Sequence, residues 1–182
     1  MIRSFIALKL SHQVIQELAI NVDIIKSLDK HEEIRWVSTD NYHLTLCFLG
    51  DLEPELLELL KLSLSEKTLG LGHIRLSLTD VSFFPFTDKL RIVAGIITPS
   101  DSLRGLKTRV DQAARSISIP VKKRGFKPHI TLGRVKGRFT PKLKIHPRSV
   151  MLSCDATELI VFQSRLTPKG ACYKSLFEIP LI

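Results

Sequence analysis

Three observations predict an α+β fold arranged about a pseudo-two-fold axis. Strand-like and helix-like hydrophobic periods alternate along the 182 residues, one strand–helix–strand pattern occurs twice, and no linker separates the copies. Ser4 to Leu8 reads as a short apolar strand. Ser11 then stands before Val14, Ile15, Leu18, Ala19, Val22 and Ile25, a helical period with Ser11 as its N-cap. Ile34 to Val37 is a brief extended piece, and Tyr42 to Leu49 is a strand stopped at Gly50-Asp51. Pro54 opens a Leu-rich helix that ends near Gly70. Ile74 to Val81 alternates apolar and polar residues as a half-exposed strand does, and Leu90 to Ile97 is another strand. Leu103, Leu106, Val110 and Ala113 mark a third amphipathic helix. His129 to Val135 is a strand, a basic Pro-containing segment follows, and Leu159 to Ser164 and Tyr173 to Ile179 are the final strands. Without a Gly/Ser-rich or low-complexity tract, residues 1–182 are expected to form a single domain of two lobes.

The repeat carries the chemistry. Strand, helix and a strand beginning with His run from Arg3 to Leu49 and again from Leu90 to Val135, which sets His43 and His129 86 residues apart. The two His-strands read His43-Leu44-Thr45-Leu46 and His129-Ile130-Thr131-Leu132. Residues two apart on a strand share a face, so each segment shows His and Thr on one side and two aliphatics on the other. One such segment is ordinary strand alternation. Two copies at matching places in a repeated unit put one imidazole on each side of a point. In-line displacement at phosphorus needs that arrangement, with a base activating the attacking oxygen and an acid protonating the leaving oxygen opposite. Histidine, with an unperturbed pKa of about 6.5, suits both tasks. The Thr hydroxyls can donate to non-bridging phosphate oxygens.

Charge points the same way. The chain carries a net +9, yet from Gln112 to Cys154 there is no Asp or Glu and there are eleven Lys and Arg. Such a segment fits a polyanionic partner, and it also fits a solvated face kept for solubility. The three cysteines form no framework and no metal-ligand spacing, as in a reducing compartment. The opening apolar run is too short for a secretion signal, and no segment reaches the length of a membrane span, so a cytoplasmic protein is expected. There is no Gly-rich phosphate loop.

In order and spacing, the chain resembles the bacterial and archaeal RNA 2′,3′-cyclic phosphodiesterases, also called 2′-5′ RNA ligases, of the two-histidine phosphoesterase superfamily. The resemblance rests on Phe5-Ile6-Ala7-Leu8, Arg35-Trp36-Val37, His43-Leu44-Thr45-Leu46 with Phe48-Leu49-Gly50, Phe126-Lys127-Pro128-His129-Ile130-Thr131-Leu132 with Arg134, and Gly170 and Tyr173. It implies a bilobal fold with antiparallel sheets lining a central cleft and helices outside. It implies His43 as proton donor and His129 as proton acceptor, with Thr45, Thr131 and Arg134 on the phosphate, no cofactor and no metal. The substrate it implies is RNA ending in a 2′,3′-cyclic phosphate, tRNA fragments included, opened to a 2′-phosphate by a monomer. Reversal with a 5′-hydroxyl would join ends 2′-5′. Strand parity puts Arg134 opposite His129 and Thr131, unless a bulge at Gly133 turns it inward.

Other residues are weighed against this reading. Cys47 shares parity with His43, but it has no orienting partner for a nucleophile's role and suits a buried position better. His12, His31, His73 and His146 lack metal-ligand spacing. Trp36 and Phe126 precede the two motif strands as core or rim residues, and either could stack on a base. A small cyclic nucleotide as substrate and a non-catalytic RNA-binding module are the competing readings. The paired His and Thr argue against the second.

RNA affinity is expected to fall with salt, because phosphate contacts release counterions. Replacing Lys122, Lys123 and Arg124 by Ala should flatten the slope of log affinity against log salt. A slope identical to the wild type would place the RNA elsewhere.

Overall fold

The structure is a computed structural model that describes residues 1–84, 91–122, 125–137, 142–143, 145, 148–168 and 170–182. Its elements are β1 (Ile2–Leu8), α1 (His12–Leu28), β2 (Ile34–Trp36), β3 (Leu44–Leu52), α2 (Leu56–Thr68), β4 (Ile74–Phe84), β5 (Ile92–Ile97), α3 (Asp101–Ser116), β6 (His129–Val135), β7 (Arg148–Ala156), β8 (Glu158–Thr167) and β9 (Gly170–Pro180). α1 and α3 each start at a Ser cap, whereas α2 starts without a side-chain cap. Ser11 accepts a hydrogen bond from Val14 N at 3.4 Å, and Ser100 accepts one from Leu103 N at 3.2 Å. Among the described residues, no helix is long and apolar enough to cross a membrane.

The strands form one antiparallel sheet in the order β7-β4-β5-β6-β3-β1-β8-β9, with β2 paired to β6. From the middle outward, β3-β1-β8-β9 matches β6-β5-β4-β7, so the expected two-fold relation is present. The expected antiparallel sheets are joined into one at a seam, where β3 and β6 meet at Leu44↔Ile130. These two residues are themselves equivalents in the repeat, and the pseudo-axis passes between them. Only Thr157 separates β7 from β8, which belong to opposite halves, so the sheet must curl until its ends approach. Leu181 N donates to Thr157 O at 2.8 Å, which ties the C-terminus to that crossing.

The helices cover the convex face, and those of the repeat cross over. α1, from the first half, touches β7, whereas α3, from the second, touches β3 and β4. The crossing needs a small residue in β5: a Cβ at Gly95 would lie 2.9 Å from Leu18 Cδ2. Leu18, Leu44, Leu64, Leu106 and Ile130 are all fully buried in one cluster.

Two boundaries differ from the sequence reading. β3 runs through Gly50-Asp51 to Leu52, because Gly50 takes φ +76° and lets the strand pass an irregularity opposite Ser4 and Phe5. β7 lies within the stretch read as part of a basic segment. Its Val150, Cys154 and Ala156 face inward at period two, while Met151 is exposed. Leu90, expected to open β5, lies outside the described residues, as do Lys123, Arg124, Arg138, Lys144 and His146 of the basic segment.

Both motif strands contain a β-bulge at the same place. In β3, Thr45 pairs with Ala7 and Cys47 with Ile6, so Leu46 is the extra residue. In β6, Thr131 pairs with Ala94 and Gly133 with Val93, so Leu132 is extra. The second bulge is packed tightly, since a Cβ at Gly133 would stand 2.5 Å from Ile34 Cγ2 and 3.0 Å from Trp36 Cε3. Gly133→Ala is therefore expected to cost about 1–3 kcal/mol through overpacking. In a chain of this size that lowers Tm by about 2–12 °C in thermal unfolding. An unchanged Tm would mean that β2 does not rest on the bulge.

Candidate active site

Each bulge reverses strand parity after the Thr, and so decides what faces the concave side. Burial follows the same order in both motifs. His43 and Thr45 are partly buried, Leu44, Leu46 and Cys47 are buried, and Phe48 is exposed. His129 and Thr131 are partly buried, Ile130, Leu132 and Gly133 are buried, and Arg134 is exposed. The concave face therefore carries His, Thr and the third residue beyond Thr from each half. Arg134 lies on the same face as His129 and Thr131, as the bulge reading required. Cys47 does not: its expected parity with His43 is overturned, because the bulge turns it into the core. Burial there pushes its thiol up to about 12, so no thiolate is available.

The two imidazoles are held alike. His43 Nδ1 lies 2.7 Å from the Asn41 carbonyl, and His129 Nδ1 lies 2.8 Å from the Lys127 carbonyl. A carbonyl only accepts, so Nδ1 carries the hydrogen in both rings and each Nε2 is left for proton exchange. Each carbonyl is two residues back, an equivalence that follows from the repeat. Asn41 is itself pinned by its Nδ2, which donates to Ala171 O at 3.1 Å. His43 Nε2 accepts from the Thr45 hydroxyl at 3.0 Å.

The surroundings of the two rings differ. His43 sits among Phe5, Tyr173 and Phe162, with ring centroids at 4.9, 5.1 and 5.9 Å. His129 stacks on Phe84 at 4.6 Å, with 26° between the planes. Burial in the aromatic nest lowers His43 to about 4, against the pull of the Asn41 hydrogen bond. The positive charges of Arg134 and His129 add to the lowering, which puts both groups within electrostatic reach of His43. A hollow lined by Ser38, Asp40, Asn41, Ala171, Cys172 and Tyr173 opens beside this ring.

Of the predicted site residues, His43, Thr45, His129, Thr131 and Arg134 share one face. Sequence reasoning missed the aromatic nest as an environment for His43, although Phe5 and Tyr173 were singled out for other reasons. It also missed Phe48, the counterpart of Arg134, exposed beside Phe5 at 6.1 Å between centroids. Phe48 comes to this face through the bulge in β3, and the nest is assembled from β1, β8 and β9, so the alternation within one strand announces neither. Trp36 pairs with Gly133 on the core face, and Phe126 is half-buried against the core, so neither is an open stacking platform. His12, His31 and His73 belong to no group of three potential metal ligands among the described residues.

A curled antiparallel sheet that presents two equivalent His-x-Thr pairs defines a phosphoesterase of the two-histidine type. Comparison with known proteins agrees. The model of the LigT like Phosphoesterase family matches residues 8–93, which contain the first motif. An RNA 2′,3′-cyclic phosphodiesterase of Archaeoglobus fulgidus is 31% identical over 84% of this chain and 87% of its own length. Another, from Aeropyrum pernix, is 30% identical over 80% of this chain and 85% of its own. Among solved structures, a Thermus thermophilus protein superposes with TM-score 0.79 at 28% identity, covering 98% of this chain and 97% of that one. The Escherichia coli LigT apo form does so with TM-score 0.79 at 25% identity, covering 98% and 96%. The chain belongs to the LigT-like phosphoesterase family.

The depressed His43 makes stability depend on pH. Below its unfolded pKa of about 6.5, the unfolded chain takes up a proton that folded His43 refuses until about pH 4. Stability is therefore lost as pH falls through that window, by at most about 3 kcal/mol from this group at 1.36 kcal/mol per unit. Denaturant midpoints measured between pH 7 and 4 should fall less steeply for His43→Gln than for the wild type. Parallel slopes would mean that His43 is not held neutral.

Proposed function

We propose that the protein hydrolyses RNA ends carrying a 2′,3′-cyclic phosphate to 2′-phosphate ends, with His129 as base and His43 as acid. The observation that carries this reading is the pair of imidazoles on either side of the seam, each with Nδ1–H given to the carbonyl two residues back. His129 Nε2 takes a proton from water, and the water oxygen bonds to phosphorus. The bond from phosphorus to the 3′ oxygen breaks, and His43 Nε2–H protonates that oxygen. Thr45, Thr131 and Arg134 donate to the non-bridging oxygens, where charge accumulates in the transition state. The same steps in reverse, with a 5′-hydroxyl in place of water, join RNA ends 2′-5′. The printed names of the relatives support RNA as the substrate class. We assign the activity to a cytoplasmic monomer, with tRNA fragments among its substrates.

A proton donor must be charged, yet burial keeps His43 neutral in the empty cleft. The substrate resolves this conflict. A phosphodiester anion between the rings offsets the Arg134 charge that adds to the depression of His43, and it favours the protonated ring. The Thr45 hydroxyl, which donates to His43 Nε2 in the empty site, is then free to turn to a phosphate oxygen. His43 thus becomes an acid only when there is something to protonate.

Purified protein with a short RNA ending in 2′,3′-cyclic phosphate, analysed by end groups, tests the reading. Turnover should survive exhaustive chelation, since imidazoles fill both proton-transfer roles. kcat/KM should be bell-shaped in pH, with limbs that belong to the coupled pair. His43→Ala and His129→Ala should each lose about 10²–10⁴-fold in kcat, and the double variant less than the product. Thr45→Ala and Thr131→Ala should lose about 10- to 1,000-fold. Wild-type turnover by either histidine variant would sink the mechanism.

A further inference from the structure

The three-residue strand β2 pairs with the end of β6 in the register Ile34↔Val135, Arg35↔Arg134, Trp36↔Gly133. Directly paired residues share a face of the sheet. Trp36 lies with Gly133 on the core side, against the bulge, so Arg35 lies with Arg134 on the concave side. Both arginines are exposed, and neither makes an ion pair among the described residues. Two guanidiniums directly opposed on adjacent strands repel each other, and the usual relief is a carboxylate nearby. Two acids that flank β2 are occupied elsewhere. The Asp29 carboxylate accepts from Glu33 N at 2.9 Å and Ile34 N at 3.1 Å. The Glu33 carboxylate accepts from Lys142 N at 2.9 Å and Leu143 N at 2.8 Å. The same bonds fix β2 in place, so the fold holds two like charges together with no carboxylate paired to either among the described residues.

We propose that Arg35, held opposite Arg134, binds the phosphodiester one step back from the reacting phosphate. The enzyme then recognises an RNA end of at least two nucleotides, in preference to a mononucleoside cyclic phosphate. This inference rests on the phosphodiesterase reading and deepens it. The position suits the role. Antiparallel pairing at Leu44↔Ile130 runs β6 back past His43 toward its C-terminal end, and the Arg134 charge is felt at His43. If His43 protonates the 3′ oxygen, the ribose of the terminal nucleotide lies on the His43 side. Its 5′ phosphodiester then leads out over the β6–β2 edge. A guanidinium grips two oxygens of one phosphate, so a pair of them can hold successive phosphates, and an incoming anion removes their mutual repulsion as it binds.

The test compares kcat/KM for a trinucleotide and for a mononucleoside, each ending in 2′,3′-cyclic phosphate. Wild type should prefer the trinucleotide. In Arg35→Gln that preference should fall by about 10- to 100-fold, the range for loss of one charge-assisted phosphate contact, mainly through KM of the trinucleotide. Arg35→Lys should keep part of it, because the charge remains. Arg35→Gln should melt at or slightly above the wild type, since Arg35 is exposed and its repulsion with Arg134 is relieved, and Arg35→Lys should melt with the wild type. An unchanged preference in Arg35→Gln, or a wild type that does not discriminate, would overturn the inference and leave the phosphodiesterase reading intact. A wild type inert on both substrates would overturn the two together.

Discussion

The site depends on a backbone irregularity that occurs twice. One extra residue in β3 and one in β6, each directly after the Thr of a His-x-Thr pair, turns the chain over without ending the strand. Up to that point the aliphatics anchor the strand and the polar pair faces the hollow. Beyond it the pattern inverts. Cys47 and Gly133 go down into the core, and Phe48 and Arg134 come up. Without the second bulge, Arg134 would point into the helices, a costly place for an unpaired charge. The packing of Ile34 and Trp36 over Gly133 holds that bulge in place, and it also orients β2. A glycine with no room for a Cβ therefore determines where two arginines stand.

Periodicity made much of the fold legible in the sequence. The Ser11 cap and the apolar spacing of α1, the amphipathic α3, and the His129–Val135 strand are local features, and each stands where its chemistry puts it. The two-fold relation was legible because the repeated order of elements is a property of the chain. Three things were not. The bulges involve Leu46 and Leu132, ordinary strand residues whose extra place is set by the partners Ile6 and Val93 on other strands. That is why parity misplaced Cys47. β7 alternates properly, but as an edge strand beside a run of basic residues it gives a weak signal, and exposed Met151 breaks its polar face. The joining of two half-sheets into one came from a single pairing, Leu44↔Ile130, which residue types alone do not specify.

Among the site residues, the motif gave identity and the environment gave function. Two copies of His-x-Thr marked the histidines as a pair, and the repeat made them geometrically equal, with the same tautomer and the same kind of backbone acceptor. The proposed acid and base roles require the two rings to differ, and the difference arises outside the motif. Phe5 and Phe162, reached from β1 and β8, and Tyr173 from β9 enclose His43, while His129 has Phe84 from β4. Phe162 and Phe84 occupy matching places, one paired with Phe5 and the other with Ile92. Phe5 where the other half has Ile92, together with Tyr173 from β9, gives His43 its aromatic surroundings.

The same reasoning explains how a symmetric frame handles a substrate with a direction. An RNA end has one side that continues and one that stops, so a site with true two-fold symmetry would bind it equally well both ways round. The residues beyond the bulges break that degeneracy. One half ends in Arg134, with Arg35 beside it, and the other in Phe48, an exposed aromatic beside Phe5. A cation attracts the phosphates of the continuing strand, and an aromatic ring does not. In the proposed mechanism, orientation is set by the pair of positions that the bulges bring to the surface, with His43 on the side where the strand continues. The symmetry supplies two imidazoles held alike, and on the proposed mechanism its failure at one position in each half selects the one that meets the leaving oxygen.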